Sequence, residues 1–549
     1  MAADAAVPPR SARELQSDAP SLSGQDSKDA WRFRAAAATV VVAITALKLP
    51  DLLSSYAGGY HDDAVYLVTA RALAEGDGYS IASLPDPLPQ TKYPVLFPAL
   101  LALVWKAYPH FPENLPLLRL VPWAAMWLWM WLLWKLIGEE LGRREAATWI
   151  ILLMLAAPLT LYLGTHLLSE TLFAALSTWA ILLMVRIGRG SGSLPLRSAV
   201  LLAVVCSLAF HTRTIGFTLL PAAAVTLWQR RSLNAAFAFG LVWLGLCLPW
   251  FLWQSAHDGP LDATLAYYTS GNYSSWNVLS GGVSVLGNVL STNLAALALA
   301  PAWLWNLPAG LQIPWLLVMV MVLAVAGVLG MLRSRLAAPA VWLLGTVAVV
   351  LLWMWPPLRF VVPVVPVYLL GLAPRSLAEG ARWTVTVGRI IAGALLLLGV
   401  SQHIPPTWHT GGWNTVSISR TERLEGREVL AGVDWIERNT PANAVIAANL
   451  DPIYSLYSGR KGIRAFAADP YRLYYAPGAP AGALGSEDTL RNLLVEHHVT
   501  HVVLEDLELF GERIPLREQI ERLNSRWPDF LHEAWRSQEG RVTIYRVGR

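Results

Sequence analysis

The stretch that decides the fold is "GGYHDDAVYLVTARALAEGDGY", residues 58–79, which follows the first hydrophobic segment. Asp62 and Asp63 stand side by side in it, and the apolar run after them predicts a short helix that a Gly-Asp-Gly turn ends. We expect this helix to lie along a bilayer surface. An N-cap role for Asp62 and a helix-dipole role for Asp63 are the structural alternatives. Successive helical side chains point about 100° apart, so we expect the two carboxylates to have different roles and do not expect a shared metal ion.

Composition places the chain among membrane proteins. Its 549 residues are 55% hydrophobic, include 26 tryptophans and have a mean hydropathy of +0.43, and long apolar runs indicate a polytopic protein. The net charge of +4 is small and gives no reason to expect nucleic acid as a partner. Cys206 and Cys247 both lie in apolar runs, so we expect buried thiols and no disulfide framework.

Apolar segments predict about eleven transmembrane helices. The candidates are 35–49, 118–137, 146–163, 168–187, 198–210, 215–228, 235–253, 313–331, 338–355, 360–372 and 385–400. The fifth and sixth candidates are short and are also compatible with one broken helical hairpin.

Arginines mark every second loop between these spans, as the positive-inside rule requires of cytoplasmic loops. The first loop (52–117), the long loop 254–312 and the C-terminal segment are then expected on the outer side. The polar residues 1–31 are expected to be a disordered cytoplasmic tail, with no cleavable signal peptide before the first span. The sequence therefore predicts a multi-pass protein of the cell inner (plasma) membrane.

The predicted orientation depends on "YPVLFPALLALVWKAYP", residues 93–109, which is apolar but short and has prolines near both ends. If this segment crossed the bilayer, the basic loops would no longer share one side. We therefore expect an interfacial helix, with Trp105 and Tyr108 at the level of the lipid headgroups. The result is a transmembrane domain over 32–402 whose first outer loop, 52–117, carries interfacial helices.

Residues 421–549 differ in character from the rest. Amphipathic helical stretches alternate with short apolar strands, which is typical of a small α/β domain, expected here on the extracytoplasmic side. The sequence of this segment has no Gly-rich phosphate loop, nucleophile elbow or His/Cys set with metal-ligand spacing. His497, His498 and His501 are interpreted as ordinary surface histidines.

Four basic residues of the outer side run against the orientation signal: Lys92, Arg119, Arg213 and Arg359. A single arginine at a span end can reach the lipid headgroups or pair with a carboxylate. Four such residues on one face, together with the carboxylate pair, favour a site that binds an anion.

These motifs resemble those of the GT-C glycosyltransferases, polytopic enzymes that use polyprenyl-phosphate sugars, such as protein O-mannosyltransferases and lipid A aminoarabinose transferases. The matching positions, between about 51 and 374, are Asp62-Asp63, Tyr66, Lys92-Tyr93-Pro94, Ser169-Glu170, "HTRTIGFTLLP" with Arg213 and "PPLRFVVPVVP" with Arg359. The family often has Glu at the position of Asp63 and a second proline after Pro94.

The resemblance implies that a sugar, hexosyl or pentosyl, is transferred from a polyprenyl-phosphate donor to a hydroxyl acceptor with inversion. The acceptor can be a lipid, a glycan or a protein. The resemblance further implies Asp62 as the general base and Asp63 as an orienting or acceptor-binding group. Some relatives bind a divalent metal ion and others do not, so no cofactor is assigned.

The remaining candidate residues are implied to bind substrate. Lys92, Arg213 and Arg359 are assigned to the lipid phosphate, because cations stabilise the negative charge that develops there. Glu170 is expected to pair with an arginine or to touch the sugar, and Tyr66 belongs to the same substrate-binding set.

Other functions stay open at this level. A transporter or lipid flippase would need ionisable residues near the bilayer midplane and broken helices repeated in two halves, whereas the span centres here are nearly free of charge. An assembly protein would leave the aspartate pair and the outer cations unexplained. Among enzymes, a ligase that moves a whole lipid-linked glycan is the alternative closest in chemistry.

Overall fold

The computed structural model describes residues 24–259, 261, 264–269, 275–307, 310, 312–334, 336–357, 359–372, 382–401, 415–466, 469–476, 484–507 and 516–548. The chain divides into two compact units, Met1–Leu52 and Leu53–Arg549.

The helices of the described residues are α1 (Gly24–Leu52), α2 (Asp62–Glu75), α3 (Leu96–Ala107), α4 (Leu115–Leu133), α5 (Arg144–Ala156), α6 (Pro158–Thr165), α7 (Glu170–Arg189), α8 (Leu196–Thr212), α9 (Leu219–Gln229), α10 (Leu233–His257), α11 (Trp276–Ser280), α12 (Val283–Ala298), α13 (Ala300–Leu304), α14 (Pro314–Met331), α15 (Ala337–Leu351), α16 (Val365–Leu372), α17 (Arg382–Ser401), α18 (Thr415–Asn439), α19 (Asp451–Ser458), α20 (Pro470–Tyr474), α21 (Glu487–Glu496) and α22 (Leu516–Arg526). The strands are β1 (Ser80–Ile81), β2 (Leu88–Pro89), β3 (Val445–Ala448), β4 (Lys461–Arg464), β5 (His501–Glu505), β6 (Leu531–Arg536) and β7 (Val542–Val547).

The chain carries transmembrane helices, as the sequence predicts. Within the described residues, four helices are long and apolar enough to cross a bilayer: α4, which a π-helical turn extends to Glu140, α7, α10 and α14. The bent pair of α5 and α6 makes a fifth if it is one span. The predicted number of about eleven is not confirmed by the described residues.

The interruption of one predicted span has a local cause. The segment 146–163 bends by 69° between α5 and α6, where Ala157 is extended (φ −70°, ψ 118°) and Pro158 follows. Proline has no N–H to donate and disfavours helical backbone in the residue before it. Between α8 and the 3₁₀ turn Thr214–Thr218, Arg213 is extended (φ −150°, ψ 132°), which leaves its side chain at the junction of two helical segments.

The well-enclosed helix α7 organises the bundle. In its apolar part, 78% of the residues are buried, and α4, α8 and α9 pack against it. Small buried residues such as Ala174, Ala175 and Ser177 allow these neighbours to approach closely. Its first residue, Glu170, therefore begins inside the protein rather than in a solvated loop.

Helix α2 is buried, which differs from the expected helix along a bilayer surface. Most of its residues between 63 and 72 are inaccessible, because α3, α19 and β1 pack against it. Gly76 ends the helix in the left-handed conformation (φ 93°), and its N–H donates to the carbonyl oxygen of Ala72.

Helix α3, within the segment predicted to be interfacial, has 12 residues and is too short to cross a bilayer. Trp105, which was expected at the headgroup level, is buried in the protein, and its ring stacks on Phe111 with centroids 5.3 Å apart. Tyr108, at the end of α3, is exposed.

Residues 415–548, which we call the C-terminal α/β segment, contain a five-stranded mixed sheet. Its strand order is β4-β3-β5-β7-β6, with β3 parallel to β4 and β5, and β7 antiparallel to β5 and β6. Helix α19 joins the parallel strands β3 and β4 and packs against α2. The turn 449–451 between β3 and α19 is thereby brought to the first outer loop.

Three further expectations need correction. Helix α1 begins at Gly24, inside the predicted tail 1–31, since residues 25–31 contain no proline or glycine that would stop a helix; residues 1–23 lie outside the described residues. The predicted long loop 254–312 contains α11, α12 and α13. His501 is buried in β5 beside Trp435 and is not a surface histidine, because the strand lies inside the sheet.

Candidate active site

The loop before α2 is held by a buried carboxylate. Asp63 is 2% exposed and accepts hydrogen bonds from the backbone N–H groups of Gly58 (2.8 Å), Tyr60 (3.0 Å) and Ala64 (3.0 Å). Its carboxylate thus serves the backbone of its own loop and does not line the cavity described below. These contacts agree with the orienting role expected of Asp63 and give no support to acceptor binding.

Arg119 supports the same loop. Its guanidinium donates to the carbonyl oxygens of Ser54 and Tyr56, and the residue is 4% exposed. Arg119 therefore differs from the other three outer cations, because the partners it holds are backbone carbonyls. It does not line the cavity.

Asp62, the first residue of α2, is the carboxylate that lies beside two of the other cations. It pairs with Arg359, accepts a short hydrogen bond from the Tyr93 hydroxyl, and lies 3.9 Å from Nζ of Lys92. Burial alone would raise the pKa of Asp62, but the charges of Arg359 and Lys92 and the hydrogen bonds hold that pKa below its usual range. Asp62 is therefore ionised at neutral pH.

Glu170, which is 1% exposed at the start of α7, links two arginines that are far apart in the sequence. Its Oε1 lies 2.7 Å from Nη1 of Arg213 and 3.4 Å from Nε of Arg359. Nη1 of Arg213 also donates to Oγ of Ser169 at 3.1 Å, and that Oγ lies 3.0 Å from the hydroxyl of Tyr66. A continuous polar network thus joins Tyr66 to Asp62.

Three of the cations lie against aromatic rings. Arg213 and Arg359 lie 4.9 and 5.4 Å from the ring centroid of Phe360. Nζ of Lys92 lies 4.3 Å from the ring centroid of Tyr267. Burial lowers the pKa of Lys92 to about 7, an effect that Asp62 opposes. A cation held against ring faces keeps favourable electrostatics after it loses water.

A cavity of about 610 Å³ brings these groups together. Five of the seven predicted site residues line it: Asp62, Tyr66, Lys92, Arg213 and Arg359. The volume is in the range of small-molecule sites. Glu170 lies behind the two arginines that it pairs with.

A second cavity of about 430 Å³ adjoins the first, and Arg213, Thr214, Trp353 and Phe360 line both. Its further lining is mostly apolar: Ile215, Phe217, Ser275, Ala348, Val349, Val350 and Leu352. A polar cavity that continues into an apolar one suits a ligand with a charged head and a hydrocarbon tail.

The C-terminal α/β segment completes the wall of the first cavity, which sequence reasoning missed. Its contributions are Asn449, Leu450, Arg464 and Tyr474. The guanidinium of Arg464 lies 3.7 Å from the ring centroid of Tyr267, on the same ring as Lys92. The sequence carries no local signal for this, because the two parts of the chain are some hundreds of residues apart.

The described residues contain no group of three or more His, Cys, Asp or Glu side chains placed to hold a metal ion.

No family model matches the sequence, and no curated protein matches it. Solved structures do match. The archaeal oligosaccharyltransferase AglB from Archaeoglobus fulgidus, in complex with an inhibitory peptide and a dolichol-phosphate, has a TM-score of 0.55 at 14% sequence identity, over 95% of this chain and 75% of that chain. ArnT from Cupriavidus metallidurans, bound to undecaprenyl phosphate, has a TM-score of 0.43 at 16% identity, over 92% and 98% of the two chains.

The likeness to AglB shows the fold. The described chain shares the fold of this GT-C glycosyltransferase, and the resemblance expected from the sequence motifs is confirmed at the level of the fold.

Proposed function

We propose that this chain is a membrane glycosyltransferase that moves a sugar from a polyprenyl-phosphate donor to a hydroxyl acceptor on the extracytoplasmic side. The observation that carries the proposal is the meeting of Lys92, Arg213 and Arg359 with Asp62 in one cavity. Three cations from separate parts of the chain suit an anionic group, and one carboxylate beside them suits a base.

The donor phosphate is assigned to the three cations. Nη1 of Arg359 is buried and has no hydrogen-bond partner among the described residues, so it is a donor available to a phosphate oxygen. Arg213 is oriented by Ser169 and Glu170. The adjoining apolar cavity supports the same assignment, since it offers a place for the first isoprene units of the lipid.

The transfer is a single displacement. Asp62 accepts the proton of the acceptor hydroxyl while the oxygen attacks the anomeric carbon from the face opposite the phosphate. The bond between that carbon and the phosphate oxygen breaks, and its electron pair stays on the phosphate, which gains one negative charge. Lys92, Arg213 and Arg359 stabilise this charge in a site where burial strengthens electrostatic interactions.

Binding of the donor also activates the base. Arg359 and Lys92 hold the pKa of Asp62 low, and a phosphate placed beside them shares these cations with the carboxylate. Their hold on Asp62 weakens as the phosphate gains charge. The proton affinity of Asp62 therefore rises during the step in which it takes up the proton.

The proposal is tested by donor consumption in proteoliposomes. Purified protein is incubated with synthetic undecaprenyl phosphates carrying different hexoses or pentoses and with extracted cell-envelope acceptors, and released undecaprenyl phosphate is measured by mass spectrometry. We expect turnover of at least one donor, and a loss on the order of 10²–10⁴-fold in Asp62→Asn, because the amide keeps the shape but cannot take the proton.

Asp77→Asn is the matched control, because Asp77 is an exposed aspartate shortly after α2 and is expected to leave turnover unchanged. Equal turnover by wild type and Asp62→Asn would reject the assigned base. The mass gained by the acceptor separates transfer of one sugar from ligation of a whole glycan.

A further inference from the structure

A buried bond joins the C-terminal α/β segment to the loop that carries Asp62. Nε2 of His61 lies 3.0 Å from Oδ1 of Asp451, and both side chains are buried. Asp451 is the first residue of α19, and the ring of His61 also lies edge-on to Tyr267, with centroids 5.2 Å apart. Because His61 directly precedes Asp62, this bond fixes the residue next to the assigned base.

The backbone at this point needs external support. His61 has a φ of 59°, in the left-handed region that residues with a Cβ rarely adopt. Such a conformation persists where the surroundings hold it. Gly58 also has a positive φ of 106°, and a Cβ there would lie 2.5 Å from Cγ1 of Ile453 in α19. Helix α19 therefore packs directly on this loop, with no room for a side chain at Gly58.

The same helix holds the loop at a second point. The hydroxyl of Tyr457 accepts from the N–H of Ala57 (3.0 Å) and donates to the carbonyl oxygen of Ser55 (2.9 Å). The turn before α19 is itself fixed, because Glu505 accepts hydrogen bonds from the N–H groups of residues 449 and 450. Support thus runs from the sheet through α19 to the loop.

His61, which also lines the first cavity, contacts Asp451 as a neutral ring. Burial lowers its pKa, so the imidazole is neutral at neutral pH, and a neutral ring beside a carboxylate donates its Nε2–H to that carboxylate. Nδ1 is buried and has no hydrogen-bond partner among the described residues. The ring therefore offers its single polar contact to Asp451.

We propose that Asp451 is a positioning residue for Asp62, acting through His61, so that the C-terminal α/β segment is part of the catalytic unit. The inference rests on the proposed role of Asp62 as base. A shift of about 1 Å in a catalytic group costs on the order of 10²-fold in rate. The donor phosphate is assigned to Lys92, Arg213 and Arg359, whose ion pairs are with Asp62 and Glu170. Asp451 acts on this set through its charge, which favours the protonated form of Lys92.

The test separates kcat from donor affinity. Asp451→Ala removes the acceptor oxygen, and we expect kcat to fall by about 10–100-fold. The affinity for undecaprenyl phosphate should fall by clearly less, through loss of the Asp451 charge that favours the protonated form of Lys92. Asp451→Asn keeps an acceptor oxygen and should restore part of kcat. The control is Asp506→Asn, an exposed carboxylate of the same segment that pairs with Arg517, and it should match the wild type in both quantities.

A double-mutant cycle tests the route through His61. If Asp451 acts through this ring, Asp451→Ala should change kcat by less than about twofold in a His61→Ala background. Multiplicative losses would overturn the inference. Tyr457→Phe is a second variant for the case in which a substitution at His61 or Asp451 prevents folding. It removes the hydroxyl that holds the same loop and leaves every charge in place. It should lower kcat without changing the affinity for undecaprenyl phosphate.

The outcomes also separate the two proposals. No turnover by the wild type overturns both. A different result overturns the positioning role alone. In that result, Asp62→Asn abolishes turnover, whereas Asp451→Ala, Asp451→Asn and Tyr457→Phe all keep the wild-type kcat. An equal loss of kcat and of undecaprenyl phosphate affinity in Asp451→Ala also overturns it, since a general disturbance of the site would act on both.

Discussion

Because of Lys92, we expect the affinity for undecaprenyl phosphate to depend strongly on pH. Burial lowers the pKa of the Lys92 amine to about 7. The phosphate that we assign to this site needs the charged ammonium, so its binding above pH 7 must take up one proton. The affinity for undecaprenyl phosphate should therefore fall as the pH rises through 7.

The size of the effect follows from one proton. At pH 7 roughly half of the Lys92 side chains are protonated, and at pH 9 about one in a hundred, so the affinity should fall ~50-fold over these two units. The second pKa of a phosphate monoester is about 6, so the ligand keeps nearly the same charge over this range. The measurement is a titration of the protein in detergent with undecaprenyl phosphate at pH 7, 8 and 9.

Two variants assign the effect. Lys92→Arg keeps a charge over the whole range and should flatten the curve, although its fork differs in shape from an ammonium. Lys135→Arg changes an exposed lysine that pairs with Glu139 and should keep the wild-type slope. A wild-type affinity that is the same at pH 7 and pH 9, or an equal slope in Lys92→Arg, would refute the reasoning.

Three other outcomes follow from the geometry. Asp63→Asn should lower the free energy of unfolding by about 1–3 kcal/mol, because the buried N–H groups of its loop lose one acceptor oxygen. The measurement is the melting temperature, which should fall, and an unchanged melting temperature would contradict this. Arg359→Gln should weaken undecaprenyl phosphate binding roughly 10–100-fold, and Arg359→Lys by less; a rise in affinity would place the phosphate elsewhere. In intact cells an impermeant thiol reagent should label Glu496→Cys and not Ser191→Cys, and the reverse pattern would invert the proposed orientation. Both native cysteines are buried, so they should add little background labelling.

The cations of the site could be found from the sequence because of where they stand. Lys92, Arg213 and Arg359 lie on the predicted outer side, where the orientation rule predicts few positive charges, and a charge near a span end needs a partner. Arg119 has the same pattern, yet its partners are backbone carbonyl oxygens. The sequence alone cannot tell whether an arginine pairs with a carboxylate or with backbone carbonyl oxygens, because both kinds of acceptor satisfy the guanidinium.

The sequence did not predict which helices are buried or which distant residues pair. The apolar stripe of α2 predicted a surface helix, but elements that lie elsewhere in the sequence cover its remaining faces. His61 and Asp451 are 390 residues apart, and neither stands in a pattern that identifies its partner. Periodicity reports which side of a helix is apolar, while the contact between two such elements is decided by the whole fold.

The charges of the site account for why two carboxylates and three cations suit the proposed reaction. Asp62 and Glu170 face Lys92, Arg213 and Arg359, which leaves one positive charge when Lys92 is protonated. A polyprenyl-phosphate sugar is a phosphodiester with one negative charge, so its binding makes the cluster neutral.

In the proposed transfer the cluster then stays neutral. The phosphate gains a second negative charge at the moment Asp62 loses its own by accepting the acceptor's proton. No net charge appears in the buried site, and the large desolvation cost of an unpaired charge is avoided. Release of the dianionic lipid phosphate must then be accompanied by loss of the proton from Asp62, because the empty site again needs that carboxylate as the partner of Arg359.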